Sequence, residues 1–261
     1  IIAQCTDRKR IAPTHRLTLR AHTSGSIEDR LSSWWNSLTG ETIEPMAARD
    51  LYVGSHWAAV RDLPELATSL GMAPRLWVAS AGYGLLQAED AILPYSATFQ
   101  VGHEDSVSRG TGAEARTDNA SWWAALAKHR LPGSHAPRSI RAIVAESPGA
   151  AILVVASNGY LHAIERDLLA AAQELNAPQR LVLVSGEPGP KAEALRSNWV
   201  RSTSPLLHEV GGARTALHAR VARMVLRDAA GNGFDAEEIA RHVEGVTRRC
   251  PDPVVYDRQR S

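Results

Sequence analysis

Four short apolar runs, each breaking off in small polar residues, limit this chain more than anything else in it. They lie at residues 1–5, 75–80, 151–156 and 180–184, and they end in Cys5-Thr6, Ser80-Ala81, Ser157-Asn158 and Ser185-Gly186. The run at 151–156 is continuous and apolar, the signature of a strand covered on both faces. Between the runs, apolar residues recur at helical spacing. A short helix is expected at 31–38, and helical spacing over 51–70 is interrupted by Pro64. Further helices are expected at 139–146, 160–175, 212–227 and 234–246, and another runs to about residue 130 from a cap at Asp118-Asn119. Strands alternating with helices predict an α/β fold, a three-layer sandwich around a central, mostly parallel four-stranded sheet. We read residues 1–250 as a single α/β domain and 251–261 as a polar C-terminal tail. Residues 81–117 read mostly as loop, and so long a loop in a compact domain points to function or mobility.

In parallel sheets ligands bind outside the carboxyl ends of the strands. Those ends are here Gln4-Cys5-Thr6-Asp7, Ser80-Ala81-Gly82-Tyr83, Ser157-Asn158-Gly159 and Ser185-Gly186-Glu187, all small and polar. After Tyr83 come Asp90, Pro94 and Tyr95, an acid and a second aromatic that read as a pocket wall. Asp7, Asp50, Asp90 and Asp118 are the carboxylates nearest these segments. A buried carboxylate stabilises an oxocarbenium-like sugar or orients an attacking water. The Asn158 amide both donates and accepts toward a base edge.

Composition removes several classes. Hydrophobic residues make up 44% and charged residues 22% of the 261 residues, ordinary values for a globular protein. No apolar run approaches the ~20 residues that cross a bilayer, and no secretion signal is evident. A cytoplasmic protein without a membrane partner is therefore expected, with no obligate protein partner inferred. The first residue is not methionine, which leaves room for a short leading piece. Cys5 and Cys250 have no metal-ligand spacing and are expected to be reduced. The ten histidines are dispersed, and no phosphate loop, GxGxxG, HExxH or GxSxG is present, so neither metal nor cofactor is expected.

The net charge is only +1, but 26 of the 29 basic residues are arginine, a bias that genome composition explains better than phosphate recognition does. Locally, residues 1–20 carry five basic side chains against one acid. A second basic tract follows Gly211-Gly212, with Arg214, His218, Arg220 and Arg223. Arg220 and Arg223 share a helix face, whereas Arg214 and Arg220 are roughly 240° apart. A glycine-led helix start offers free N–H groups to a phosphate. Trp34-Trp35 and Trp122-Trp123 are either stacking surfaces or core.

Cys5-Thr6-Asp7-Arg8-Lys9, Ala48-Arg49-Asp50-Leu51-Tyr52-Val53-Gly54-Ser55, Ser80-Ala81-Gly82-Tyr83-Gly84-Leu85-Leu86 and Ile92-Leu93-Pro94-Tyr95 occur in this order. Over the first hundred residues the arrangement resembles a bacterial and phage domain family with a Cys-Ser-x-x-Lys-like start, a Leu-Tyr segment, a Ser-Ala-x-Tyr-Gly-Leu segment and a Pro-Tyr-Asp-like segment. That family looks related to the middle domain of archaeosine synthase and to the uracil-DNA-glycosylase-like fold. It includes phage-defence DNA glycosylases that remove modified bases. Thr6 replaces the usual serine, Ser96 replaces the acid after Pro-Tyr, and a long insertion separates Lys9 from Asp50.

The resemblance implies a monofunctional DNA glycosylase that flips and excises a modified base, such as a glycosylated cytosine, from double-stranded phage DNA in antiviral defence. On that reading Asp90, Asp7 or Asp50 is the catalytic carboxylate. Tyr83 or Tyr95 stacks on the base, and Gln4, Ser80 and Asn158 read its edge. Lys9, Arg214, His218, Arg220 and Arg223 contact DNA. The alternatives are a transferase or ligase acting on a deazaguanine-type base or nucleotide, and a nucleic-acid or nucleotide sensor without chemistry.

Overall fold

The computed structural model describes residues 1–251; the proposed tail from residue 252 onward lies outside the described residues. Each of the four apolar runs is a strand: β1 (Ile2–Gln4), β3 (Trp77–Ser80), β6 (Ile152–Val155) and β7 (Leu181–Ser185). The sheet is wider than expected, six strands rather than four. It gains β4 (Gly84–Gln87) and β8 (Trp199–Arg201), in the order β4-β3-β1-β6-β7-β8. All neighbouring pairs are parallel except β3 and β4, which form an antiparallel hairpin. A separate two-stranded ribbon pairs β2 (Met46–Ala47) with β5 (Ala91–Ile92).

Every residue of β3, β6 and β7 is buried, so helices cover both faces of the sheet. One group comprises α1 (Ile27–Gly40), α5 (Gly112–Leu126), α6 (Ile140–Glu146) and α7 (Asn158–Glu174). The other comprises α3 (Ser55–Arg61), α4 (Leu63–Ser69), α9 (Leu217–Asn232) and α10 (Ala236–Arg249). Two single-turn helices, α2 (Ala48–Leu51) and α8 (Leu207–Val210), lie in connections. Buried apolar side chains from Ile2 to Val246 form one cluster. Both cysteines are free thiols. Among the described residues no helix is long and apolar enough to cross a membrane.

Local chemistry explains the boundaries. Ser26 caps α1 in a reciprocal capping box with Asp29, and Ser139 and Asp235 cap α6 and α10. Pro64 opens α4 rather than only breaking a longer helix, since its missing N–H costs nothing in a first turn. α5 begins at Gly112, seven residues before the expected cap at Asn119; Asp118 instead accepts a bond from Ser108 Oγ at 2.6 Å. α9 begins at Leu217 after a 3-10 turn over Arg214–Ala216, so Gly211-Gly212 precede the helix without leading directly into it.

The strand order places the topological switch beside β1. The chain leaves β1 for β3 on one side and later returns to β6 on the other. The crevice favoured for ligands thus opens where β1, β3 and β6 end.

Candidate active site

The segment leaving β1 folds back on itself. Thr6 Oγ1 donates to the carbonyls of Arg8 (3.0 Å) and Val53 (3.1 Å), and Val53 N–H donates back to the Arg8 carbonyl. Lys9 pairs with Tyr52 through an isolated antiparallel bridge. Its ammonium donates to the carbonyls of Thr6 (3.2 Å) and Asp7 (3.1 Å) and sits 4.3 Å from the centre of the Tyr95 ring. Burial lowers the Lys9 pKa, while the nearby Cys5, Asp7 and Asp105 oppose that shift. The cation is held by two carbonyl dipoles and an aromatic face.

Beneath Lys9 runs a chain of hydroxyls. Tyr52 and Tyr95 lie 2.9 Å apart through their hydroxyl oxygens, and Tyr95 lies 2.6 Å from Ser80 Oγ. All three side chains are buried. Cys5 Sγ lies 3.2 Å from the hydroxyl of Tyr160 on α7. Burial pushes the phenols of Tyr52, Tyr95 and Tyr160 well above their ordinary range, so all three are neutral.

Above Lys9, Asp7 is exposed, and its carboxylate lies 3.8 Å from His103 Nε2. His103 comes from the connection between β5 and α5, which is fastened by Thr98 N–H to the Asp105 carbonyl and Val107 N–H to the Thr98 carbonyl. His103 Nδ1 accepts the backbone N–H of Asp105 at 3.0 Å, so the neutral imidazole carries its hydrogen on Nε2, toward Asp7. Asp105 itself is buried and accepts the Arg20 N–H at 2.9 Å. Neither His103 nor Asp105 was foreseeable from the sequence, because both sit in an irregular segment without periodicity.

The expected site residues divide sharply. Gln4, Asp7, Lys9, Ser80 and Tyr95 gather at the carboxyl ends of β1 and β3. Asp90 does not join them. The β3–β4 hairpin carries it back toward the amino end of β3, where Trp77 pairs with Gln87 and the Asp90 carboxylate accepts the Gln87 N–H at 2.8 Å. Asp50 also leaves the site: its carboxylate lies 3.7 Å from Arg49 Nε and lines a cavity of about 640 Å³ with Trp77, Gln87 and Glu89. The expectation of Asp90 between Tyr83 and Tyr95 is therefore corrected by the hairpin, and that of Asp50 by its place on α2.

The stacking expectation is corrected as well. Tyr83 is buried, its hydroxyl accepts the Leu93 N–H at 3.0 Å, and its ring lies edge-on to Trp35 and Tyr95. Tyr95 is buried beneath Lys9. The tryptophan pairs are mostly core: Trp34, Trp122 and Trp123 are buried, and Trp34 and Trp122 donate to the carbonyls of Gly82 and Ala81. The polar readers are partly engaged. Gln4 Oε1 accepts the Ser157 N–H at 2.6 Å and ties β1 to the end of β6. Asn158 uses both ends of its amide on the 187–189 turn, donating to the Glu187 carbonyl and accepting the Gly189 N–H, so it is not free to read a base edge.

The basic tract is partly consumed. Arg220 donates to the Val210 carbonyl at 3.1 Å and lies across Gly212, where any Cβ would strike its guanidinium. Arg223 faces Asp62 at 3.5 Å. His218 lies against Gly186, and burial lowers its pKa, so it is not a surface cation. Lys9 is likewise committed to its own loop. Arg214 is exposed beside Thr215, which meets Ser55 Oγ at 2.8 Å, while Arg8 lies beside Gly54. Arg8 and Arg214 are thus exposed arginines on segments that meet at Gly54-Ser55. Comparison of the chain with family models, with curated proteins and with solved structures returns no match.

Proposed function

We propose that this chain is a DNA glycosylase that hydrolyses the N-glycosidic bond of a modified base, with Asp7 as its carboxylate. The observation carrying this reading is the position of Asp7: it is the one member of the expected trio Asp7, Asp50 and Asp90 at the carboxyl ends of β1 and β3, 3.8 Å from His103. A flipped nucleotide entering there meets an exposed carboxylate above a floor of neutral phenols and a held ammonium. As the bond from C1′ to the base breaks, the Asp7 carboxylate stabilises the cationic sugar and orients water toward C1′. His103 Nε2 faces that carboxylate from 3.8 Å. Tyr95 contributes as the floor under Lys9, not as a stacking platform. Arg8 and Arg214 supply phosphate contacts beside the site, which position DNA without reading its sequence. The switch beside β1 is compatible with the uracil-DNA-glycosylase-like fold that the motif order implies.

The test is base release from duplex DNA carrying normal or glycosylated cytosine, read as alkali-sensitive abasic sites. Release is expected only from modified DNA. Asp7→Asn should lose at least about a hundredfold in rate, the scale of one general-base contribution, while Asp90→Asn and Asp50→Asn stay near wild type. An unimpaired Asp7→Asn enzyme overturns the assignment. Binding without base release replaces it with the sensor, and turnover of free nucleotides replaces it with the transferase.

A further inference from the structure

Beside the Asp7–His103 pair lies a cavity of about 210 Å³ lined by Arg20, Arg30, His103, Ser106 and Arg109 together with Glu104. Arg30 projects from α1 and is only 8% exposed. Its guanidinium donates to the carbonyls of His22 (2.9 Å) and Val107 (2.7 Å) and lies 6.0 Å from the centre of the Trp122 ring. Those carbonyls occupy two of its five N–H groups and fix its plane. A cation buried without a carboxylate in contact is costly to keep, and a bound anion relieves that cost. Arg109 shares the cavity, is exposed, and forms no ion pair among the described residues. Ser106 Oγ is buried at the same cavity with no hydrogen-bond partner. A buried hydroxyl without a partner is rare and marks a place where a ligand or water completes the bonding.

We propose that this cavity binds a phosphate group, gripped by Arg30 and Arg109 and completed by the Ser106 hydroxyl. Two guanidinium forks suit phosphate oxygens, and a neutral hydroxyl adds a donor without charge. Arg20 is already engaged by Glu104 and Asp105, so an incoming anion competes with Glu104 for it. His103 lines both this cavity and the Asp7 site, which puts the phosphate next to the sugar that Asp7 would act on. The phosphate belongs either to a nucleic-acid backbone or to a free nucleotide. The inference concerns binding and holds whether or not the chain excises bases.

Calorimetric titration with inorganic phosphate, with dCMP and with a short single-stranded oligonucleotide tests it, each at fixed ionic strength. Wild type should bind at least one of the three. Arg109→Ser should weaken that binding at least about tenfold, the scale of one charge-assisted contact, and Ser106→Ala should weaken it less. Arg116→Ser, an exposed arginine lining a different cavity, should leave it unchanged. If a backbone phosphate is the ligand, Arg109→Ser also lowers the slope of log K against log salt, read by repeating the oligonucleotide titration at several salt concentrations, by about 0.7. If a free nucleotide is the ligand, dCMP binding responds while oligonucleotide binding does not. Absence of binding by all three probes, or binding indifferent to both Arg109→Ser and Ser106→Ala, overturns the proposal. Abasic-site formation plays no part in this readout, so its failure is separable from failure of the glycosylase reading.

Discussion

Ser80 and Tyr95 share a hydrogen bond of 2.6 Å whose direction is forced. Ser80 Oγ already accepts the N–H groups of Gly82 (3.2 Å) and Tyr83 (3.0 Å), which fills both of its lone pairs. Its proton must therefore go to Tyr95. Tyr95 also meets the Tyr52 hydroxyl at 2.9 Å, which ends the chain.

Position in this chain ranks two conservative substitutions. Tyr95→Phe removes the middle of the chain and strands buried hydroxyls at Ser80 and Tyr52, for a loss of about 1–3 kcal/mol. Tyr52→Phe removes only the terminal hydroxyl, and Tyr95 loses a single partner. Urea unfolding should give the order Tyr95→Phe below Tyr52→Phe below wild type. A loss for Tyr52→Phe as large as that for Tyr95→Phe would show that the Tyr95 hydroxyl does not couple Ser80 to Tyr52.

Gly82 has no room for a side chain. A Cβ there would overlap the Tyr95 ring and come within 3.2 Å of the Trp34 indole. Both neighbours are large, buried and hydrogen-bonded, so neither yields cheaply. Gly82→Ala should cost about 1–3 kcal/mol through overpacking and displace Tyr95 from Ser80. A wild-type urea midpoint for this variant would show that the strand end relaxes freely.

His56 on α3 supplies a pH dependence. It is buried, and burial, helped by the adjacent His218, lowers its pKa to about 4, with the Gln4 backbone opposing the shift. The unfolded chain binds a proton near pH 6.5, where the native chain does not. Stability is therefore complete above that pH and falls as the pH drops toward 4, by an amount on the order of 3 kcal/mol. His56→Gln should flatten the change in urea midpoint between about pH 7 and 4.5 relative to wild type. Identical pH profiles would mean that His56 takes up no proton on unfolding.

Much of this architecture was legible before any coordinates, and the misses have physical causes. The strands β1, β3, β6 and β7 announce themselves as apolar runs because both faces of the sheet are covered. β4 falls within the stretch 81–117 that reads as loop, because its four residues follow β3 after a three-residue turn and are too few to show a period. β8 escaped because it has three residues after a 3-10 segment. That unseen hairpin also misplaced Asp90, which is near Tyr83 and Tyr95 in sequence yet carried to the other end of the sheet. Tyr83 and Tyr95 read as stacking walls of a pocket, since the burial of a tyrosine depends on partners such as Leu93 N–H and Ser80 Oγ, which spacing does not reveal. Arg30, half-hidden in an amphipathic helix, gave no sign that its charge would be buried.

Lys9 carries the sharpest remaining test, because its geometry separates two roles. A lysine gripping DNA reaches into solvent; this one bonds to the carbonyls of Thr6 and Asp7 and covers Tyr95. It therefore sets where Asp7 stands. Lys9→Met should leave the salt dependence of DNA binding unchanged while base release falls, because the loop bearing the carboxylate loses its two internal bonds. A phosphate-gripping lysine would instead reduce the salt slope by about one and leave the chemical step intact. The same ammonium also discriminates hydrolysis from lyase chemistry. With water as nucleophile, borohydride added during turnover traps no protein–DNA adduct. Were Lys9 the nucleophile, attack of Nζ on C1′ would give an iminium that borohydride reduces to a stable adduct, and Lys9→Met would abolish it.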